Sequence, residues 1–253
     1  MARDPTTRFS DRVSEYVRYR PRYPHELLSF CQTHLGLRQE HIIADVGSGT
    51  GFLSELFLKN GNVVYGVEPN KEMREAGEDA LASFTRFHSI DGRAEATNLA
   101  DQSVDFVTAA QAFHWFDPKK TREEFLRILQ PNGFVLVIWS TRAEEKSSFL
   151  KDYEELLLKY GTDYTSVDHR SKLGNLELFF GGTSYHIKEF EMSQFFDLEG
   201  MTGRLLSSSY SPSADHPNHR PMIRMLRDIF LRHQHEGIVE VPYFTRLYYG
   251  QLS

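Results

Sequence analysis

The sequence predicts an α/β fold, doubly wound about a mostly parallel seven-stranded sheet, and three observations carry the prediction. Runs rich in β-branched and apolar residues recur at HIIADV (41–46), NVVYGVE (62–68), TRFHSI (85–90), SVDFVTAA (103–110) and GFVLVIW (133–139). They are apolar on both faces, as strands of a sheet covered on both sides are. Helical patterns such as Phe52 to Leu58 and Thr121 to Leu129 fill the gaps between them. Strand–helix alternation of this kind reads as an open α/β sheet.

Taken in order, the first element is a helical stripe of Phe9, Val13, Tyr16 and Val17. It ends at Arg20-Pro21, because the residue before a proline avoids the helical region. Pro24 opens a second helix with Leu27, Leu28, Cys31 and Leu35 on one face, and Gly36 stops it. The five strands and their helices follow, with Pro131-Asn132-Gly133 as the turn into the fifth strand. After Ser140 the pattern changes to a helix that turns Phe149, Tyr153, Leu156, Leu157 and Tyr160 inward, then a polar loop and the Gly181-Gly182 turn. A strand-like run at 185–196, an Asp197-capped helix, a helix from Met222 to Phe230 and a terminal run at 240–252 complete the chain. This organisation implies one domain: an N-terminal helical cap (1–38), a ligand-binding core (39–140), a lid inserted after the fifth strand (141–183), and C-terminal strands and helices completing the sheet (184–253).

Composition narrows the function. The chain of 253 residues is 40% hydrophobic and 25% charged, ordinary for a globular protein, and its net charge of −6 argues against a surface built to neutralise nucleic-acid phosphates. The longest apolar run, Phe134 to Trp139, is far short of the roughly 20 residues that span a bilayer. The N-terminus, MARDPTTRFSDR, has no apolar centre, so no membrane partner is expected and a cytoplasmic location is. The single cysteine, Cys31, allows no intramolecular disulfide and sits among apolar residues as a small core side chain.

The chemistry concentrates at IIADVGSGTGFLSEL (42–56), where a strand ends at Asp45-Val46 and Gly47, Gly49 and Gly51 lead into a helix. Glycines let the backbone turn sharply and let a ligand approach where a Cβ would clash. No Gly-Lys-Ser/Thr follows, which excludes a phosphate loop. The spacing is G-x-G-x-G, with Phe52 where a pyrophosphate-binding fingerprint has its third glycine. Asp45 at the mouth would repel a pyrophosphate and suits a cation such as an ammonium or sulfonium. Glu68, ending the second strand, is placed to accept hydrogen bonds from ribose hydroxyls. A cation-friendly turn beside a ribose-binding acid describes S-adenosyl-L-methionine better than NAD.

The segments DVGSGTG, GVEPNKEM, GRAEATNLADQSVDFV, AAQAFHWFD and LRILQPNGFVLVIW together resemble the class I S-adenosylmethionine-dependent methyltransferases, which share a Rossmann-like sheet. The flanks (Phe9, Ser10, Tyr16, Arg20, Pro21, Tyr23, Pro24 and the His114-Trp115 pair) are similar to those of small-molecule enzymes of the trans-aconitate and related carboxyl methyltransferase branch. The resemblance implies that Asp45 and the Gly47 backbone hold the methionine part, that Gly49 and Gly51 make the turn, and that Glu68 binds the ribose. It implies Met73, Ala94 and Glu95 around the adenine, with Arg93 where many relatives carry Asp, and Ala110 and Gln111 beside the methyl group. Tyr16 and Arg20 are expected beside the cofactor, Arg20 clamping a carboxylate of the cofactor or of the substrate through its planar fork.

On the acceptor side, His114 reads either as a general base or substrate partner, or as a structural histidine. Trp115 reads as a donor to an acceptor carboxylate or as packing. A carboxylate acceptor is ionised at neutral pH and needs no base, whereas a hydroxyl or amine needs one. The expected partner is a small organic acid, with the protein a monomer or homodimer. Methylation of a hydroxyl, an amine or nucleic acid, NAD-type oxidoreduction, and a non-catalytic cofactor-binding module are the alternatives. His216, His219, His233 and His235 lack the companion ligands of a zinc motif, so no metal is expected.

Overall fold

Residues 17–167, 174–181 and 185–252 are described by a computed structural model. Seven strands, β1 (Ile42–Val46), β2 (Val63–Val67), β3 (Phe87–Ile90), β4 (Val104–Ala110), β5 (Leu129–Arg142), β6 (His186–Phe196) and β7 (Val239–Gly250), form one sheet in the order β3-β2-β1-β4-β5-β7-β6. The first five are parallel, and β7 runs antiparallel between β5 and β6. The order reverses between β1 and β4, where chains leaving the two strands diverge and open a crevice at their carboxyl ends.

Successive residues of the central strands enter two different cores, which is why these strands read as unbroken apolar runs. Ala44, Val107, Val135 and Val137 face one side, where helix α4 (Pro118–Ile128) contributes Phe125 and Ile128 and the short α6 (Gly174–Phe180) contributes Phe179. Ile43, Phe106, Leu136 and Ile138 face the other, against α1 (His25–His34) with Leu27 and Cys31, and α2 (Phe52–Asn60) with Leu53 and Phe57. Cys31 is fully buried there, and burial pushes its thiol up to about 12. Helix α3 (Lys71–Leu81) covers β2 and β3 and is capped by the Asn70 side chain, which accepts from Met73 N.

A third core lies away from the sheet centre. Helices α5 (Ser148–Tyr160), α7 (Leu198–Leu206) and α8 (His219–His233) pack Leu150, Tyr153, Leu157, Leu205, Leu226 and Phe230 against Val241 and Tyr243 of β7. The expected lid at 141–183 is therefore divided. Its first helix joins α7 and α8 in this cap, while α6 returns to the core beside α4. The physical reason is that the apolar stripe of α8 needs a partner, and α5 presents a matching one.

Two elements differ in detail from expectation. The Pro131-Asn132-Gly133 turn lies inside β5, whose register against β4 shifts between Val104 and Phe106 and where Asn132 adopts φ +66°. The outer strand β6 is mostly exposed and carries Lys188, Glu189 and Glu191, charges that discourage pairing with a further strand. The expected helical stripe Phe9–Tyr16 lies outside the described residues, apart from the helical turn Val17–Tyr19 that follows it. Among the described residues no helix is long and apolar enough to cross a membrane.

Candidate active site

The glycine turn sits at the strand-order reversal, and its conformation explains its composition. Gly47, Gly49 and Gly51 have φ values of +70°, +56° and +81°, in the left-handed region that a side chain disfavours. A Cβ on Gly47 would stand 2.5 Å from Ala112 Cβ, so the turn presses directly on the segment after β4. Gly47 N and Ser48 N both donate to Val67 O, at 2.8 and 3.2 Å, tying the turn to the end of β2.

Two buried carboxylates frame this turn. Asp45 is 1% exposed; its oxygens accept from Ser54 Oγ at 2.7 Å and Thr108 Oγ1 at 2.9 Å. Burial raises its pKa, and those two bonds offset part of the rise. Glu68 accepts from Gly49 N and Asn70 N, each at 2.9 Å, and so clasps the glycine turn to the start of α3. Its pKa is raised as well, by burial first and by the charge of Asp45, against the pull of those backbone bonds and of Arg74.

These residues line a cavity of about 500 Å³. Asp45, Gly47, Gly49, Glu68, Met73, Ala94, Glu95, Ala110, Gln111 and Trp115 all border it. Gly51 is one step removed, as the left-handed residue that caps α2 and presses on Leu81. Glu95 also accepts from Asp117 N at 2.9 Å, holding the entry to α4 against the cavity rim. Gln111 has φ +56°, an uncommon conformation for a non-glycine residue, and its side chain donates to Ser140 O at 2.8 Å.

Gln111 also borders a second cavity of about 440 Å³, under the cap. Arg142 ends β5 there, its Nη2 donating to Tyr164 Oη at 2.8 Å and pairing with Glu154 at 3.1 Å. Arg204 of α7 is 5% exposed and donates to Tyr243 Oη at 3.3 Å and Ser208 Oγ at 3.2 Å. Arg20 lines this cavity rather than the first, with its Nη2 on Ser207 O at 3.1 Å. The expectation of Arg20 beside the cofactor is corrected in that respect, because the chain between Tyr19 and Pro21 runs against α7. Tyr16 lies outside the described residues.

His114 borders neither of these cavities. It is 7% exposed within the turn Phe113–Trp115, with its ring 4.4 Å from that of Trp115. Sequence reasoning passed over Arg142 and Arg204, while Tyr210 belongs to a Ser207–Tyr210 run that reads either as a lining of the acceptor pocket or as a polar loop. Arg142 carried a signal as a polar residue at the tip of a core strand. His233 pairs with Asp152 at 2.8 Å, and among the described residues no group of three or more metal-binding side chains is assembled.

Comparison with known proteins agrees with this geometry. Residues 44–137 match the family described as methyltransferase domain. An uncharacterized methyltransferase of Mycobacterium tuberculosis is 33% identical over 159 residues, 63% of this chain and 62% of the relative, so the match spans less than two thirds of that protein. An Anaeromyxobacter dehalogenans structure named as a Type II methyltransferase superposes with a TM-score of 0.68 at 20% identity, covering 92% of this chain and 98% of that one. A Geobacter sulfurreducens S-adenosylmethionine-dependent methyltransferase, solved with S-adenosyl-L-homocysteine, gives 0.53 at 16% identity and covers 98% of each chain. At such identities the two structures speak for the fold alone. The cavity at the strand-order reversal is thus bordered by residues of the segment 44–137 that matches the methyltransferase domain family.

Proposed function

We propose that the protein is an S-adenosyl-L-methionine-dependent methyltransferase that methylates a carboxylate oxygen of a small organic acid. The observation that carries the reading is the pairing of Asp45 and Glu68 across a turn of left-handed glycines. Two carboxylates at one cavity wall disfavour a pyrophosphate and favour a sulfonium, an ammonium and a ribose diol. The absence of a Cβ at Gly47 and Gly49 lets the turn close against Ala112 and Met73, two residues that border the same cavity.

When bound, the cofactor would supply an activated methyl group on a sulfonium, with a neutral thioether as its built-in leaving group. The chain positions and shields. Glu68 accepts the ribose hydroxyls through the lone pairs left by its two backbone bonds, and Asp45 acts on the ammonium end by its charge. Met73 and Ala94 flank the adenine with soft apolar surface. Gln111, locked by Ser140 between the two cavities, sets where the acceptor meets the methyl group, and placing the two in line supplies much of the rate. A carboxylate acceptor needs no proton removed, which agrees with a buried His114 that borders neither cavity.

Calorimetric titration of S-adenosylmethionine and S-adenosylhomocysteine into wild type and Glu68→Ala tests this. We expect binding by wild type and affinity lower by about tenfold or more in the variant, the loss of a charge-assisted contact pair. NAD binding more tightly than either would overturn the assignment.

A further inference from the structure

We propose that the second cavity, walled by Arg142 and Arg204, is an anion site that anchors a carboxylate of the methyl acceptor. The proposal rests on the methyltransferase reading above and adds a location and a charge to its acceptor. Three arginines line the cavity, Arg20, Arg142 and Arg204, against two carboxylates, Glu144 and Glu154. Glu154 is committed to Arg142 and to Tyr164 Oη, which donates to it at 2.5 and 2.6 Å. Among the described residues the Arg204 guanidinium has the neutral oxygens of Tyr243 and Ser208 as its hydrogen-bond partners, although it is almost fully buried. Burying a cation without an opposite carboxylate is costly, and both burial and the charge of Arg142 oppose that of Arg204, which is offset by the phenols of Tyr243, Tyr210 and Tyr153 rather than by an anion. A cavity of this kind retains a place for an anion.

Two further observations point the same way. Arg142 Nε and Tyr153 Oη are buried without a hydrogen-bond partner among the described residues, and both belong to the polar layer around Arg142, whose guanidinium lies 5.4 Å from the Tyr153 ring. Tyr210 reports the local field. Burial pushes its phenol up, but Arg142, Arg204 and Arg20, with a hydrogen bond from Ser208, bring it down to about 8. Gln111 borders both cavities, so an acid anchored under the cap lies next to the cofactor pocket. The planar forks of two arginines suit a carboxylate.

The test uses benzoate and citrate as probes and benzamide as the neutral control, titrated into the full chain with and without S-adenosylhomocysteine. At least one carboxylate should bind wild type, and its affinity should fall by about tenfold or more in Arg204→Met, the loss of a charged hydrogen-bond partner. Benzamide should not bind. Carboxylate binding by neither probe, or binding unchanged in Arg204→Met, would overturn the proposal. Should Arg204→Met not fold, the tyrosinate absorbance of wild type and Tyr210→Phe decides. Tyr153 and Tyr164 are pushed upward, so a phenol titrating near 8, absent in Tyr210→Phe, belongs to Tyr210. A carboxylate held by Arg142 and Arg204 neutralises the charge that lowers this phenol, so its titration must move up, and carboxylate affinity must weaken as pH rises through about 8. Glu144, Glu154, Tyr164, Tyr243 and Arg20 face the same space, and of these the Tyr164 phenol is pushed upward, out of this range. A titration unmoved by either carboxylate overturns the proposal. S-adenosylhomocysteine binding is read separately: its absence defeats the methyltransferase reading, whereas its presence without a carboxylate effect defeats only the anion site.

Discussion

Asp45 shows how a binding residue and a stabilising residue make opposite demands. Its pKa is raised by burial, so the folded chain binds a proton there more readily than the unfolded chain does. Its contribution to stability is therefore fully present below the ordinary carboxylate range and is lost as pH rises through the higher folded value. At neutral pH the charge is a cost that serves the ligand. Asp45→Asn keeps an oxygen for one hydroxyl and an amide for the other, since Ser54 and Thr108 can each accept as well as donate. We expect ligand-free Asp45→Asn to melt no lower than wild type at pH 7. Its affinity for S-adenosylmethionine should fall by about tenfold, the loss of one close opposite charge. Parallel thermal melts with and without the cofactor separate the two effects, and a ligand-free variant that melts well below wild type would show that the carboxylate holds the turn together.

At the scale of elements, the cap is the part that stands most apart. Its three helices share a core with the ends of β6 and β7, while the cofactor turn is held by β1, β2 and β4. Leu226 of α8 is fully buried in that core. Leu226→Ala should cost about 2–5 kcal/mol, the usual range for a leucine deleted from a packed interior. The loss should be local. Hydrogen exchange should quicken in α5, α7 and α8 while the amides of β1, β2 and β4 keep their protection, and S-adenosylhomocysteine should still bind. Uniform loss of protection across the sheet would show instead that cap and sheet unfold as one unit. The edge strand β6 belongs to the same account: its charges and exposed Ile187 and Phe195 mark it as the rim of the sheet.

For the whole molecule, the ligand is a linked source of stability. At a hundredfold excess over its dissociation constant, a ligand that binds only the folded chain adds about 2.7 kcal/mol. For a chain of this size that corresponds to a rise of roughly 5–10 °C in melting temperature. S-adenosylhomocysteine should produce such a rise and NAD at the same concentration should not. A larger shift with NAD would mean that the two acids at the turn do not set the ligand.

Most of the sheet and the glycine-turn wall of the first cavity were legible in the sequence because their determinants are local. The left-handed glycines 47, 49 and 51, Asp45 two residues before them and Glu68 at the next strand tip are each read from a few consecutive residues. The alternation that feeds two cores appears in every central strand for the same reason. The cap was less legible, since the apolar stripes of α5 and α8 predict burial without naming each other as partners. The acceptor side depended on the tertiary structure almost entirely. Arg20, Arg142, and Arg204 with Tyr210 lie in three separate stretches of chain, and only the insertion of β7 beside β5, with the cap folded over it, brings them to one cavity. The burial of His114 away from that cavity was likewise decided there. A turn that binds a ligand through its own backbone is encoded in one segment, whereas a cavity of side chains is encoded in the packing that closes it.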